Sequence, residues 1–219
     1  MLTLAINTAG THESVAIILG KKVLSEVAWV SNRDESEKLI GAISKILKKA
    51  KKDFSDIKKI IIVTGPGPFS SVRIGVTVAN TLGLLVKAQV FEIDTFSMLK
   101  LRLKNKKSVI MLHAGGIFAA VKGFGKTEGI FTIQEITDLM KKGKKSNPLE
   151  IFCDLTENEL RELKALKEKN WTLLYEKNLG GFGKTVAQTP EKEFKKTCIA
   201  TPVYLRPPQI THARSKCAK

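Results

Sequence analysis

The chain has 219 residues, 43% of them hydrophobic, and a formal net charge of +16. This length and composition can supply a full hydrophobic core and indicate a globular protein of one large domain or two small lobes. No apolar run is long enough to span a membrane and the N-terminus does not resemble a secretion signal, so we expect a cytoplasmic protein. The three cysteines are widely spaced and indicate neither a disulfide framework nor a zinc site.

The positive charge would attract RNA, DNA or an acidic partner. Only six of the 37 basic residues are arginines, however, and arginine is the side chain that recognises phosphates and bases most specifically. The lysines are scattered in pairs through the chain, which is also typical of an ordinary solvated surface. Charge alone therefore allows nucleic-acid binding but does not establish it.

The first half of the chain predicts three antiparallel strands followed by a helix, a strand and a helix. The strands are predicted in LTLAIN, SVAIILG and VLSEVAWV, and Asp34 or Ser36 can cap the amphipathic helix that follows. A buried strand is predicted in IKKIIIVTG, and the next helix, 72–87, is apolar on nearly every side. The strand QVFEI and a short helix at 94–103 complete this β3αβα unit.

A weaker version of the same pattern follows the junction KNKKS at 104–108. Strands are predicted in SVIMLHA, IFAAVKGFG, LEIFCD and WTLLY. Thr132 with Glu135, and Thr156 with Glu159, have the spacing of capping boxes at the start of two helices. We therefore predict two duplicated lobes. The predicted divisions are 1–103 for the N-terminal lobe, 104–198 for a smaller and divergent C-terminal lobe, and 199–219 for a tail that carries PVYLRPP.

A turn rich in glycine and proline, GPGPFSSVRIG at 65–75, joins the buried strand to the apolar helix. Its glycines permit unusual backbone torsions, and amides at the start of a helix can hold a phosphate. The turn lacks the spacing and the lysine of a P-loop, so a structural role is the simpler interpretation. Arg73 could bind a phosphate or form an ion pair. The residues of this motif loop are Gly65, Pro66, Gly67, Phe69, Ser70, Arg73 and Gly75.

Two further turns could bind a phosphate. The first joins the first two strands as in actin-like ATPases, but those turns open with an aspartate that organises a metal, and the uncharged Asn7 stands here. Its other candidate residues are Thr8, Gly10 and Thr11. The second, NLGGFGKT at 178–185, ends like a P-loop but lacks its first glycine. The histidines are isolated and no GxSxG motif occurs, so we predict no metal site, no cofactor and no catalytic residues.

Three motifs, in the same order, resemble the TsaB (YeaZ) family of bacterial tRNA threonylcarbamoyladenosine biosynthesis proteins. They are MLTLAINTAGTHESVAII, GPGPFSSVRIGVTVANTLG and PVYLRPPQI. The family's central motif, GPGSFTGVRIG, differs here at Pro68, Ser70 and Ser71. The resemblance covers 1–103 well and 104–198 in pattern only. It implies an α/β fold that is actin-like and ribonuclease-H-like, with two duplicated β3αβα lobes and mixed sheets.

The resemblance also implies a function in a complex. TsaB-like proteins are non-catalytic scaffolds that bind and activate the related transferase TsaD and, with the ATPase TsaE, support transfer of a threonylcarbamoyl group to tRNA. This chain fits that role because Glu35 and Ser36 replace the metal-binding histidine segment of TsaD. It departs from many relatives at His113, Gly115 and Ile117. We expect a TsaD-like subunit and a TsaE-like ATPase as partners, with tRNA contacted indirectly or through the basic surface.

In relatives, the two helices that flank the motif loop pair with the same helices of a partner. The resemblance therefore implies candidate interface residues here, which share out between core and interface: Leu39, Ile43, Ile46, Val76, Ala79 and Leu82. The same surfaces would allow a homodimer of the isolated chain. One alternative is a stand-alone actin-fold ATPase or phosphotransferase that uses the turn at Asn7 and the loop at Gly65. Another is a protease, although no pair of nucleophile and base supports it.

Overall fold

The computed structural model describes residues 1–31, 34–114, 118–124, 127–142, 149–165, 171–179 and 181–205. The first half contains β1 (Leu2–Asn7), β2 (His12–Leu19), β3 (Lys22–Val30), α1 (Glu35–Lys49), β4 (Ile57–Val63), α2 (Phe69–Leu85), β5 (Gln89–Ile93) and α3 (Thr95–Arg102). A short 3-10 turn, Phe54–Asp56, precedes β4. These elements are those predicted for the first lobe.

The second half contains β6 (Val109–His113), β7 (Phe118–Phe124), β8 (Thr127–Thr132), α4 (Ile133–Lys142), β9 (Leu149–Asp154), α5 (Glu157–Ala165) and β10 (Trp171–Leu174). It ends with α6 (Phe182–Gln188) and β11 (Lys195–Thr197). Short 3-10 turns at Glu176–Asn178 and Glu191–Glu193 connect the last elements. The predicted strands and helices are present, and β11 is a strand that the sequence did not predict.

The two sheets share one five-stranded topology, to which the first sheet adds β11 at its edge. The first has the order β11-β5-β4-β1-β2-β3 and the second β10-β9-β6-β7-β8. In each, three antiparallel strands form a meander, and the next two strands add in parallel beside the first of them. This repetition confirms the predicted duplication and the fold class, a mixed-sheet α/β fold of two β3αβα lobes.

Helices cover both faces of the first sheet, which explains why its central strands are almost continuously apolar. On one face α1 and α2 pack against the strands; the buried stripe of α1 consists of Leu39, Ile43, Ile46 and Leu47. Asp34 is the N-cap of α1, as predicted, but its carboxylate pairs with Lys38 at 2.6 Å instead of accepting a backbone amide. The other face of β2 and β3 is covered by α6.

The chain returns to the first lobe from Gly181 onwards. Phe182, Val186, Phe194 and Ala200 belong to the core of the first sheet, and β11 pairs antiparallel with β5. This differs from the predicted division, which assigned 104–198 to the second lobe. The reason is that the face of β2 and β3 opposite α1 needs an apolar cover, and α6 supplies it.

Local hydrogen bonds confirm the two predicted capping boxes. The Glu135 carboxylate accepts the amide and the hydroxyl of Thr132, and Glu159 does the same at Thr156. The hydroxyls of both threonines accept the glutamate amides in return. Within the described part of the chain, no helix is both long enough and apolar enough to cross a bilayer.

Burial of Phe182 predicts that the last segment holds the first lobe together. The side chain is 1% exposed, so Phe182→Ala should lower the free energy of unfolding by about 3–5 kcal/mol. Ile199→Ala, at a side chain that is 69% exposed in the same segment, should change it by less than about 0.5 kcal/mol. Urea unfolding measures both, and equal effects would contradict this role of α6.

Candidate functional site

The motif loop lies directly against the turn that joins β1 to β2. A Cβ atom on Gly67 would stand 2.2 Å from the carbonyl oxygen of Ala9, and one on Gly75 would stand 2.1 Å from the hydroxyl of Thr8. Both distances are far below van der Waals contact, so only glycine fits at either position. Two of the three family motifs therefore form one packed unit.

The third motif packs on the same loop. The amide of Val203 donates to the carbonyl of Thr64 at 2.7 Å, and Gly65, whose φ is +100°, has the carbonyl of Val203 where its Cβ would be. The ring of Tyr204 lies 4.6 Å from that of Phe69. Sequence reasoning did not place these motifs together, and Arg206, the last residue of PVYLR, lies outside the described residues.

The exposed rim of the motif loop is formed by Arg73 and Phe69. The Arg73 guanidinium lies 4.3 Å from the centre of the Phe69 ring, a cation–π contact, where the sequence had suggested a phosphate ligand or an ion pair. Ser70 is exposed beside them, and Pro66 is buried. The loop thus positions the start of α2 and displays an aromatic and a cation beside it.

A carboxylate of the chain itself occupies the turn that was predicted as a possible phosphate turn. Asp154, at the end of β9, accepts the Thr11 amide at 3.0 Å and also accepts the Thr11 hydroxyl. Asn7 accepts the amide of Ala9 at 3.1 Å. A Cβ at Gly10 would stand 2.7 Å from the Asp154 carboxylate. The Ala9 amide and both donors of Thr11 are therefore engaged within the protein.

Burial raises the pKa of the Asp154 carboxyl above its ordinary value, although the hydrogen bonds from Thr11 act in the opposite direction. Glu176 adds to the increase in pKa through charge repulsion. The guanidinium of Arg102, which is itself buried, holds Glu176 through two hydrogen bonds of 3.1 and 2.5 Å. These residues line a small cleft between the two sheets, together with Asn7 and His12 among others.

The segment at 178–185, which ends like a P-loop in sequence, also has one of its amides bound within the protein. The amide of Gly183 donates to the Glu26 carboxylate at 3.0 Å, at the first turn of α6. A Cβ at Gly183 would be 2.8 Å from Glu26 and 2.7 Å from Ala16, so the segment is packed tightly on β2 and β3. Gly183 therefore serves packing, and its amide, like the amides of Ala9 and Thr11, is bound within the protein. Gly180 of this segment lies outside the described residues.

The remaining chemical candidates have structural contacts. His113 bonds both carboxylate oxygens of Glu159 at 3.0 Å. Burial raises the pKa of Glu159, but hydrogen bonds from His113 and Thr156 outweigh it and leave the pKa below its ordinary value. Burial raises the pKa of the Cys153 thiol to about 12, which makes it a poor nucleophile. Among the described residues, no three His, Cys, Asp or Glu side chains cluster as metal ligands. Gly115, Ile117 and His212 lie outside those residues.

The six residues predicted for a partner interface lie in the core of the single chain. Their side chains are between 0% and 8% exposed: Leu39, Ile43, Ile46, Val76, Ala79 and Leu82. The helical spacing that identified them is the spacing of the stripe that packs on the sheet. An interface on these helices therefore uses their exposed neighbours. The large apolar residues exposed on them are Ile40, Leu84 and Leu85.

Known proteins resemble this chain in sequence and in fold. Residues 22–127 match the family model described as TsaD, tRNA N6-adenosine threonylcarbamoyltransferase. The TsaB protein of Buchnera aphidicola subsp. Schizaphis graminum is 32% identical over 159 residues, covering 66% of this chain and 75% of that protein. A Pseudomonas aeruginosa protein described as similar to the peptidase YeaZ has a TM-score of 0.68 at 16% identity, covering 94% of this chain and 99% of its own. YeaZ from Pseudomonas aeruginosa has a TM-score of 0.50 at 20% identity, covering 60% of each chain.

The duplicated sheets and the packed motif loop define an α/β protein of the actin-like, ribonuclease-H-like class. The solved structures are too distant in sequence to indicate more than the fold. The Buchnera relative is similar enough over enough of its length to show the family. The chain belongs to the TsaB (YeaZ) family of tRNA threonylcarbamoyladenosine biosynthesis proteins, as its three motifs had indicated.

Substitution by alanine should have opposite effects at Gly67, which contacts Ala9, and at a glycine with no neighbouring atoms. Gly67→Ala places a methyl group on a backbone carbonyl and should destabilise the protein by about 1–3 kcal/mol or more. Gly41→Ala, in the middle of α1 with no atom within 4 Å of the new Cβ, should stabilise it by about 0.5–1 kcal/mol. Urea unfolding of both variants measures the difference. A neutral Gly67→Ala would contradict the packed unit.

The raised pKa of Asp154 predicts a pH-dependent effect of Asp154→Asn. An acid whose pKa is raised by folding contributes stability below its unfolded-state pKa, and that contribution is lost as the pH rises through the folded-state pKa. Asparagine keeps an acceptor for Thr11 but does not ionise. The variant should therefore match the wild type near pH 4 and exceed it at pH 8, by about 1.4 kcal/mol for each unit of raised pKa.

Thermal unfolding between pH 4 and pH 8 measures this effect. Asp138→Asn, at an exposed carboxylate on α4, is the matched control and should follow the wild type throughout. Parallel curves for Asp154→Asn and the wild type would show that folding does not raise the pKa of Asp154.

Proposed function

We propose that the chain is a non-catalytic scaffold of tRNA threonylcarbamoyladenosine synthesis that binds and activates a TsaD-like transferase. Membership of the TsaB family supports a function in tRNA threonylcarbamoyladenosine synthesis. The match of residues 22–127 to the TsaD model supports a partner built on a related fold, because related helix pairs can pack against each other. The observation that carries the proposal is the exposed face of α2, on which Arg73 is the single charged residue.

This helix has 17 residues and a single charged one, Arg73, at its N-terminal end. One side of it is buried in the core, and the other side faces solvent but carries no charge beyond Arg73. Leu84 and Leu85 are 82% and 71% exposed. Interface cores are depleted of charged residues in this way, whereas surfaces that stay in water are not. The exposed face consists of Ser70, Arg73, Thr77, Thr81, Leu84 and Leu85.

The neighbouring helix α1 extends the same surface. Ile40 is 45% exposed, and Gly41 beside it has open space around it. A glycine in the middle of a helix costs about 0.5–1 kcal/mol relative to alanine. Such a residue on an exposed face allows the backbone of another helix to approach closely. Ile40 and Gly41 of α1 therefore add an apolar patch to the exposed face of α2, although α1 also carries exposed lysines further along.

The absence of catalysis in this proposal is supported by the two turns that resemble phosphate loops. Asp154 engages the Thr11 donors and Glu26 engages the Gly183 amide, so a nucleotide would have to displace an internal carboxylate at either site. Asn7 also provides no charge for a metal ion. The rival function, a stand-alone actin-fold ATPase or phosphotransferase, requires the donors of the Asn7 turn to be open.

Three further features stay predictions of the family resemblance: association of a TsaE-like ATPase with the complex, a homodimer of the isolated chain through α1 and α2, and a location in the cytoplasm. A homodimer would compete with the TsaD-like partner, because both would cover the same face of α2. The mass of the isolated chain in light scattering distinguishes monomer from homodimer.

The proposed interface predicts loss of complex formation when a charge is placed on α2. Thr77→Glu and Thr81→Glu lie at exposed positions, so each variant should fold but no longer form a 1:1 complex with the TsaD-like protein of the same source. Val76→Glu, one position away and only 3% exposed, should instead prevent folding. Size-exclusion chromatography with light scattering measures the complex, and circular dichroism measures folding.

The matched control is Asn158→Glu, which adds the same charge at an exposed position of α5 in the second lobe and should leave the complex intact. If both single variants, Thr77→Glu and Thr81→Glu, still form the complex, α2 is not the interface. Failure of the wild-type chain to bind the partner, combined with ATP hydrolysis by the chain alone, would favour the stand-alone enzyme.

A further inference from the structure

Lysines are concentrated at one end of the first lobe, opposite the cleft. The parallel strands β4 and β5 begin at this end, β2 turns into β3 there, and α1 and α2 both end there. We call it the lysine end and define it by residues 19–22, 45–58 and 86–89. These three segments contain nine lysines and two aspartates, Asp53 and Asp56. The lysines are Lys21, Lys22, Lys45, Lys48, Lys49, Lys51, Lys52, Lys58 and Lys87.

These lysines are directed into solvent. Eight of the nine are exposed and Lys52 is half-buried. The lysine end therefore carries a large share of the chain's net charge of +16 on one surface, although the sequence had suggested an even scatter. Unneutralised charges of one sign at this density repel one another and reduce stability. A surface of this kind favours a partner of opposite charge.

Backbone geometry gives a second, independent indication. Both helices end in a Schellman motif, with hydrogen bonds from the Lys52 amide to Leu47 and from the Ala88 amide to Gly83. The residue that must adopt a left-handed conformation in each motif is a lysine, Lys51 or Lys87, with φ of 54°. Glycine is the usual residue there because a side chain is strained in that conformation.

Lysine near a helix C-terminus is favoured by the helix dipole, which offsets part of that strain. A lysine can interact with the dipole without adopting the left-handed conformation, however, and α1 already has Lys48 and Lys49 in its last turn. Within the described residues, Lys51 and Lys87 are the only side-chain-bearing residues with positive φ, and both lie at the lysine end. The chain thus keeps a cation at two positions where glycine would fit better.

The shape of the lysine end suits an extended polyanion. Its segments span the sheet from β2 to β5, which are three strand spacings apart, or about 14 Å. Lysine is a mobile point charge that pairs with phosphates without reading sequence, and charges spread over such a width match a phosphate backbone better than a single phosphate. Of the acidic partners open to a tRNA-modification protein, RNA has this form.

We propose that the lysine end is an RNA-binding surface that holds tRNA beside the partner subunit. This deepens the proposed function and rests on it, since Leu84 and Leu85 lead from the exposed face of α2 directly to Lys87. RNA bound there would lie next to a partner docked on α2. Binding is through the backbone and independent of sequence, so its strength falls steeply with salt.

The test uses the full chain and a fluorescently labelled, unmodified tRNA transcript, titrated from 50 to 200 mM salt. Lys51→Gly combined with Lys87→Gly should weaken binding about tenfold at low salt and reduce the slope of log affinity against log salt by about 1–2. The melting temperature should stay unchanged or rise, because glycine relieves the strain. Loss of binding without loss of stability is a result that a purely structural role would not give.

Lys104→Ala combined with Lys107→Ala is the charge-matched control, at two exposed lysines in the connection between α3 and β6, and it should have a clearly smaller effect. Equal effects of the two pairs, an unchanged affinity of the glycine variant, or a lowered melting temperature would each overturn the proposal. Competition by polyglutamate as strong as by unlabelled tRNA would also overturn it, in favour of an acidic protein. The variant with Lys51→Gly and Lys87→Gly should still bind the TsaD-like partner. Binding to that partner therefore tests the scaffold function separately from RNA binding.

Discussion

The backbone contact between Gly67 and Ala9 is the constraint on which the rest of the first lobe depends. It joins the loop before α2 to the turn after β1, and it leaves no room for a side chain at Gly67 or Gly75. This contact positions α2, and it also positions the loop against which the segment that ends at Tyr204 packs. A loop that resembles a phosphate cradle in sequence is, in this chain, a joint between three segments that are distant in the sequence.

The chain places its own carboxylates at two turns that resemble phosphate-binding loops in sequence. Asp154 occupies the Thr11 donors and Glu26 occupies the amide at the start of α6. Both carboxylates also join separate parts of the molecule, since Asp154 comes from the second sheet and the α6 segment returns to the first. The fold has thereby converted donors suited to a ligand into internal contacts. This arrangement fits a subunit whose function lies in its surface.

Local patterns were sufficient to predict most elements, because a capping box such as Thr132 with Glu135 and an apolar strand such as β4 are determined by neighbouring residues. The order of the strands required the family resemblance. The residues of the proposed interface could not be predicted, because an apolar repeat marks the face toward the core, and α2 is apolar beyond that face. The strand β11 was missed because three polar edge residues, KKT, show no alternation.

The return of the last segment to the first sheet also has a consequence for the order of folding. A ribosome releases the second lobe before it releases Phe182, Phe194 and Val203, which complete the first lobe. The part of the protein that is synthesised first is therefore the last to reach its final form. Until translation ends, the face of β2 and β3 that α6 will cover is open, and a chaperone or another nascent chain can reach it.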